Sequence, residues 1–379
     1  MQDLFRNFPK FAVVGGGNGG LATAGYLASM GYHVNLFNRS PDKIRDILNN
    51  KKIILEGAIQ AEGCVDIATS NMQEAVEDVD IVMVVVPASA HRQIAREMSP
   101  YLKDGQIVIL NPGRTGGALE FRNTLHETGN KSRITVAEAQ TLLYACRKTG
   151  NQRVNIFSIK ERVAIAAIPA TRTQKIIKML SQAFPQFYSA RNVLETSFNN
   201  IGAIFHPAPT LLNAGRIETT GGDFEYYIEG ISPTVARILE EMDCERIRVA
   251  ETLGVKAISA IKWLEQSYNA VDESLYGAIQ KTVAYKGIKS PATVNNRYIF
   301  EDVPVSLVPI SSIGKMFGIP TPTIDSIIQL ACAAQDEDYW EIGRTVETLG
   351  LSGKSAKEIN RLVMEEEIDI MDDSEGVVA

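Results

Sequence analysis

Cysteine and histidine are both scarce in this chain. Only four cysteines occur in 379 residues, Cys64, Cys146, Cys244 and Cys332, with no C-x-x-C pair and no histidine at ligand spacing. That pattern excludes a disulfide or zinc framework and points to reduced thiols. No metal site is expected. Charge of one sign is also lacking: 38 Lys and Arg stand against 45 Asp and Glu, a net −7, and no long basic stretch could neutralise a row of phosphates. Nucleic acid is disfavoured as the main partner. The longest purely apolar run near the middle, Ile81 to Val86, is far too short for a bilayer of about 30 Å. Met1 to Lys10 carries Asp3, Arg6, Pro9 and Lys10 instead of the apolar core of a signal peptide. A cytoplasmic protein without membrane contact is expected, and there is no internal repeat.

What is present is an ordinary globular composition, 45% hydrophobic and 22% charged, enough for sizeable cores. At about 150 residues per domain the length suggests two domains. From Lys10 to about Phe187, β-branched runs alternate with helical stretches, as in a parallel sheet covered on both faces. Candidate strands are Phe11 to Val14, His33 to Phe37, Ile81 to Val86, Gln106 to Leu110, Arg133 to Ala137 and Val163 to Ile168. Two weak strands, Lys52 to Glu56 and Gly63 to Thr69, read as an antiparallel edge. After Tyr188 helical patterns dominate: Asn192 to Phe205, Ser232 to Leu253, Ala257 to Tyr268, Ser274 to Ala284, Ile313 to Phe317 and Thr323 to Ala334. Pro304, Pro309, Pro320 and Pro322 place turns in the later part. The expected division is a Rossmann-type domain over 1–188, a helical substrate domain over 189–363 and a solvated acidic tail over 364–379. The apolar face of Ala257 to Leu264 reads equally as core or as the interface of a homodimer.

Gly15-x-Gly17-x-x-Gly20 lies directly after the first strand and directly before a helix, which is the setting of a dinucleotide fingerprint. The first glycine permits a tight turn, the second lets a pyrophosphate approach the backbone, and the third lets helix pack on strand. The helix N-terminus, with Asn18 and Gly19, then holds the phosphates. An acid ending the second strand would accept hydrogen bonds from the adenosine ribose of NAD. Asn38 stands there, followed by Arg39 and Ser40. A neutral side chain with an adjacent arginine, and Lys43 in reach, favours NADP, with NAD as the alternative. Two more strand-end loops, Val86 to His91 with Pro87 and Leu110 to Gly117, suit a path beside a nicotinamide ribose, or serve as plain connections.

Nicotinamide chemistry needs a group that handles protons near neutral pH, and histidine suits it. His33 and His126 read as structural or surface groups. His91 sits on a strand-end loop but starts a helix, so surface or capping roles compete with catalysis. His206, in Ile204-Phe-His-Pro-Ala-Pro209, reads from its residues alone as catalytic or as a buried, hydrogen-bonded histidine. Asn296-Arg297-Tyr298-Ile-Phe-Glu301-Asp302-Val-Pro304 concentrates an arginine and two carboxylates. An aspartate there would fix the histidine tautomer and an arginine would hold a carboxylate; a surface salt-bridge cluster is the alternative.

Five segments together resemble the opine dehydrogenases, the octopine and nopaline dehydrogenase group, over nearly the whole chain. They are the Gly15 to Gly20 loop, Asn111-Pro-Gly-Arg-Thr-Gly-Gly117, Glu138-Ala-Gln-Thr-Leu-Leu-Tyr-Ala-Cys-Arg147, Phe205-His-Pro-Ala-Pro-Thr-Leu-Leu-Asn-Ala-Gly215 and Arg297-Tyr-Ile-Phe-Glu-Asp-Val-Pro304. The resemblance implies a Rossmann domain joined to a helical domain, as in 6-phosphogluconate dehydrogenase. It implies His206 and Asp302 as a catalytic dyad and Arg297 as the carboxylate clamp. It also implies substrate contacts at Asn213 and Thr141, and a cofactor contact at Glu138. The activity implied is reductive condensation of an amino acid with a 2-oxo acid such as pyruvate, through an imine reduced by NAD(P)H. A hydroxy acid dehydrogenase of the glycerol-3-phosphate or ketopantoate reductase type, or a non-catalytic NADP-binding sensor, are the competing readings.

Overall fold

The computed structural model describes residues 8–365, so the expected acidic tail lies outside the described residues from residue 366 onward. Its strands in chain order are β1 (Phe11–Val14), β2 (Val34–Phe37), β3 (Lys52–Gly57), β4 (Ala61–Cys64), β5 (Ile67–Thr69) and β6 (Ile81–Val84). They continue as β7 (Ile107–Leu110), β8 (Thr135–Ala139), β9 (Tyr144–Lys148), β10 (Arg153–Ile159), β11 (Val163–Ile168) and β12 (Phe187–Ser189). The main sheet has the order β12-β11-β8-β7-β6-β1-β2-β5 and is parallel except between β8 and β11. Alternate residues of its central strands enter two different cores: Ala12, Val14, Val82 and Val84 on one face, Phe11, Val13, Ile81 and Met83 on the other. Burial on both faces is why these strands read as unbroken apolar runs. The first face shares one continuous core with the helical half of the chain, as far as Val363.

The order of connection reverses between β1 and β6, and in open α/β sheets ligands bind beyond the carboxyl ends of the strands at such a point. The loops after β1, β2, β6 and β7 therefore emerge at one edge, and those after β6 and β7 meet the helical half there.

Three expectations need correction. The weak strands are not an edge of the main sheet. β3 and β4 pair antiparallel within a separate four-stranded sheet, β4-β3-β10-β9, and only β5 joins the main one, parallel to β2. β9 and β10 alternate buried and exposed residues, too weak an apolar signal to be read in advance. The single helix expected from Asn192 to Phe205 is two, Val193–Phe198 and Gly202–Phe205, because Asn199 and Asn200 turn inward to bond other segments. Pro304 and Pro309 do not make turns. Both lie within a continuous helix that starts with a widened, π-type turn at Val303–Leu307 and runs on through Val308–Phe317. A wider turn relieves the clash a proline ring makes with the carbonyl four residues earlier. Pro320 and Pro322 do sit at the turn before the helix Pro322–Gln335.

Elsewhere local chemistry sets the boundaries. Ser232 accepts from the Val235 amide and Pro233 occupies the first helical position, starting the helix Pro233–Thr252. On the helix Ala260–Tyr268, Ala260 and Leu264 are buried within the chain itself, so this apolar face is core. The last helix, Ala356–Met364, returns to pack on β11. No helix among the described residues is long and apolar enough to cross a membrane.

Candidate active site

The glycine loop has room for a pyrophosphate. Gly15 has φ +122°, and a side chain there would strike the Val85 carbonyl at the end of β6; one at Gly20 would come within 1.7 Å of the Gly15 oxygen. A side chain at Gly17 would meet nothing within 4 Å. Gly17 starts the helix Asn18–Ser29 without a side-chain cap, so its first amides are unclaimed. These features fit a dinucleotide. When bound, it would supply hydride at the nicotinamide end.

The residues expected to contact that cofactor divide. Asn38 is committed to the loop: its Oδ1 accepts from the Gly16 amide at 2.9 Å and its Nδ2 donates to the Ser40 carbonyl at 2.7 Å. Asn18 accepts from the Lys148 amide at 3.0 Å, so β9 is fastened to the glycine loop. Arg39 and Pro87 are exposed, and Ser40 is half-buried. Glu138 is a correction. It is 1% exposed and accepts from the Ala118 amide and the Thr196 and Ser197 hydroxyls, leaving it no face toward a cofactor. Burial raises its pKa, against the pull of those donors and Arg344.

His206 and Asp302, 96 positions apart, meet: the imidazole Nδ1 lies 2.8 Å from Asp302 Oδ2. The backbone positions His206 through its carbonyl, which accepts from Thr210 Oγ1 at 2.8 Å and Tyr226 Oη at 2.6 Å. Tyr298 stacks on the imidazole at 4.1 Å. With Nδ1–H donated to the carboxylate, Nε2 is left with its lone pair, the tautomer a proton-accepting histidine requires. Glu301 and Asp302 are both fully buried, which overturns the surface salt-bridge reading of this segment. Burial alone would raise the Asp302 pKa, but Arg114, His206 and Arg297 outweigh it and hold the carboxyl below its ordinary range.

Arg297, the expected clamp, is engaged by Glu301 one helical turn later, and its side chain is 55% exposed. A second guanidinium lies closer to the dyad. Arg114, from the loop after β7, has Nη1 3.3 Å from Asp302 Oδ1 and Nε 3.6 Å from Glu301 Oε1. Arg114 Nε and Asp302 Oδ1 are buried and make no hydrogen bond within the protein. Gly202 lets these groups converge, since a Cβ there would fall 2.8 Å from Arg114 Nη1 and 3.2 Å from His206 Nδ1. The Asn111 to Gly117 loop was visible in the sequence; its arginine's role beside Asp302 was not.

Arg344 gave no local signal at all. Fully buried, it donates to Glu120 Oε2 at 2.8 Å, to the Gly113 and Thr115 carbonyls at 2.9 Å, to the Ala88 carbonyl at 3.2 Å and to His91 Nδ1 at 3.0 Å. It thus grips both carbonyls flanking Arg114, whose own φ is +62°. His91 is consequently neither a surface cap nor an accessible catalyst. It is wholly buried, and burial together with Arg344 and Arg114 keeps its pKa well below the usual histidine value. His33 is exposed and bonds Asp66; His126 is on the helix Gly117–Glu127.

Thr141 accepts from Lys160 Nζ at 2.7 Å, and the same ammonium donates to the Leu142 carbonyl at 3.0 Å. The Leu142 side chain covers Gly19 of the cofactor loop. Lys160 remains open to solvent yet is crowded by protein, and that crowding, with Arg114 nearby, pushes its pKa down to about 8. Asn213 spends both amide hydrogens on the Pro209 and Gly230 carbonyls, leaving only Oδ1 for a ligand. Among the described residues no cluster of His, Cys, Asp or Glu could hold a metal.

Comparison with known proteins agrees with this architecture. Residues 189–335 match the family described as NAD/NADP octopine/nopaline dehydrogenase, alpha-helical domain. Residues 10–122 match NAD-dependent glycerol-3-phosphate dehydrogenase N-terminus. The chain is 40% identical to an opine dehydrogenase of Arthrobacter sp. (strain 1C) over 354 residues, covering 93% of this chain and 98% of that protein. An octopine dehydrogenase solved with NADH and L-arginine superimposes with TM-score 0.78 at 21% identity, over 95% of this chain and 100% of the other. A yersinopine dehydrogenase solved with NADP+ does so with TM-score 0.76 at 16% identity, over 94% and 98%. The two structures share the fold.

Proposed function

The chain belongs to the opine dehydrogenase family and is an NAD(P)-dependent oxidoreductase, and from that premise we propose that it condenses an amino acid with pyruvate or a related 2-oxo acid. The amine adds to the ketone, water leaves, and the resulting imine takes up a hydride and a proton to give a secondary-amine dicarboxylate. His206 is the catalytic residue of this reading: its Nε2 takes up and returns protons during imine formation and reduction. Asp302 is a positioning residue that fixes the tautomer and balances the imidazolium charge. The observation that carries the proposal is the 2.8 Å His206–Asp302 contact, with the Arg114 guanidinium 3.3 Å from the same carboxylate.

The product carries two carboxylates, and two cations are available to them. Arg297, half exposed, receives the oxo-acid carboxylate through its planar fork, exchanging it for Glu301. Lys160, beside Thr141, meets the amino-acid carboxylate. Arg114 is too enclosed to serve as a free clamp and instead keeps Asp302 ionised. NADP is the preferred coenzyme in this proposal, because Asn38 rather than an acid stands directly after β2 and Arg39 follows it. A cofactor and substrate division at residues 188 and 189, cytoplasmic residence and assembly as a homodimer complete the reading; sedimentation of the purified chain tests the last.

The decisive experiment mixes NADPH or NADH with pyruvate, with and without a panel of amino acids, and follows cofactor absorbance. Amine-dependent oxidation is expected. Oxidation that ignores the amine would replace this reading with a hydroxy acid dehydrogenase, and cofactor binding without turnover on any pair would replace it with a sensor.

A further inference from the structure

Arg39 and Lys43 follow β2, where the adenosine ribose of a dinucleotide would lie, a third cation reaches that loop from the second sheet, and none of the three has an ion-pair partner among the described residues. Arg39 follows β2 and touches only Gln93 Oε1, at 3.4 Å. Lys43 lies four residues further on. The third comes from the second sheet: Lys148, the last residue of β9, reaches across to the glycine loop with Nζ 3.5 Å from the Gly16 carbonyl and 2.6 Å from the Lys43 carbonyl. Its own amide is bonded to Asn18, which fixes where the side chain starts.

Some exposed cations elsewhere pair with a carboxylate across strands or loops, as Lys52 does with Glu62 and Arg133 with Asp104. No carboxylate forms an ion pair with Lys148 among the described residues. Asp42 is taken by Arg45 at 2.5 Å, and Asp46 acts on Lys148 only through its field. The net result is an ammonium, half-buried and solvated by two carbonyls, next to a second ammonium. Burial, and then Lys43, lower its pKa against the opposing pull of Asp46. Asn38, spent on Gly16 and Ser40, adds no charge there.

We propose that Lys148 is a coenzyme-specificity residue that binds the 2′-phosphate of NADP, closing from the second sheet a phosphomonoester site whose other walls are Arg39 and Lys43. A dianionic phosphate would replace the two carbonyls as the partner of its ammonium in a charge-assisted bond. The inference rests on the NADP reading above but concerns a residue that reading does not use. It also gives the four-stranded sheet a task, since that sheet delivers the lysine.

The test is equilibrium binding by calorimetry, with NADP+ against NAD+ and 2′,5′-ADP against 5′-AMP, on the wild type, Lys148→Met and Lys148→Arg. The expected result is that Lys148→Met weakens both 2′-phosphorylated ligands about tenfold or more while NAD+ and 5′-AMP change by less than about threefold, and that Lys148→Arg retains most of the preference. Parallel weakening of all four ligands would mean that Lys148 merely braces the Gly16 loop, and overturns the proposal; so does no change. A wild type that binds NAD+ at least as tightly as NADP+ refutes the NADP reading itself. A wild type that prefers NADP+, with that preference intact in Lys148→Met, refutes only the role of Lys148.

Discussion

Replacing Arg114 by methionine keeps much of the side-chain length and removes the cation that stands 3.3 Å from Asp302 Oδ1. At an effective dielectric of 20, a unit charge pair at that distance is worth about 5 kcal/mol before other groups respond. One pKa unit corresponds to about 1.4 kcal/mol. His206 and Arg297 remain to support the carboxylate, so only part of the pair energy reaches the titration. A rise of about one to two units in the Asp302 pKa is the expectation. The sign follows from the depressed native value. In the wild type Asp302 is ionised, and contributes stability, above the ordinary carboxylate range, and that contribution is lost as pH falls through its lowered native pKa. Without Arg114 the same carboxyl protonates at higher pH, and His206 then lacks a charged partner. The assay is kcat/KM against pH from 4.5 to 9, with thermal melting in parallel. The acid limb should move up by about one to two pH units. Melting should show a loss of about 3–5 kcal/mol, because Glu301 and Asp302 are left buried with less counter-charge. Arg114→Lys keeps the charge, should preserve the limb, and covers the case in which the methionine variant does not fold. An acid limb that coincides with the wild type in a folded Arg114→Met enzyme would refute the electrostatic argument.

Three further outcomes follow from the same geometry. His206→Ala should lower turnover by about 10²- to 10⁴-fold with the dissociation constant of NADPH unchanged in a fluorescence titration, and near-normal turnover would remove His206 from the reaction. Lys160, with its pKa near 8, is protonated below that pH and neutral above it, so the KM for the amino acid should rise as pH passes 8. Lys160→Met should have a high KM at every pH, and a break near 8 that survives in the variant would show that another group titrates. Arg344→Met strands Glu120 and three backbone carbonyls in the interior, so denaturant unfolding should show a loss of about 3–5 kcal/mol. A loss under about 1 kcal/mol would mean that water replaces the guanidinium.

Much of the architecture was legible because it is written in local periodicity. β1, β6, β7 and β11 are apolar runs buried on both faces, and the capped start at Ser232 marks the longest helix. β9 and β10 escaped notice because half of their residues face solvent, and Pro309 misled because a widened helical turn accommodates it. Within the site, His206 and Asp302 could be named from the segments that resemble a known family, though their residues alone left each with a structural alternative.

By itself, then, the sequence determined the alternating sheet, the helical half, the glycine loop and the chemical types gathered around it, since each depends on neighbours a few positions apart. Tertiary structure alone decided which charges meet. It turned Glu138 and His91 inward, set Arg114 rather than Arg297 against Asp302, locked that loop with Arg344, and carried Lys148 to the cofactor loop. Electrostatic partners are chosen by distances of a few ångströms between segments up to 256 positions apart. No local pattern encodes such distances; packing does.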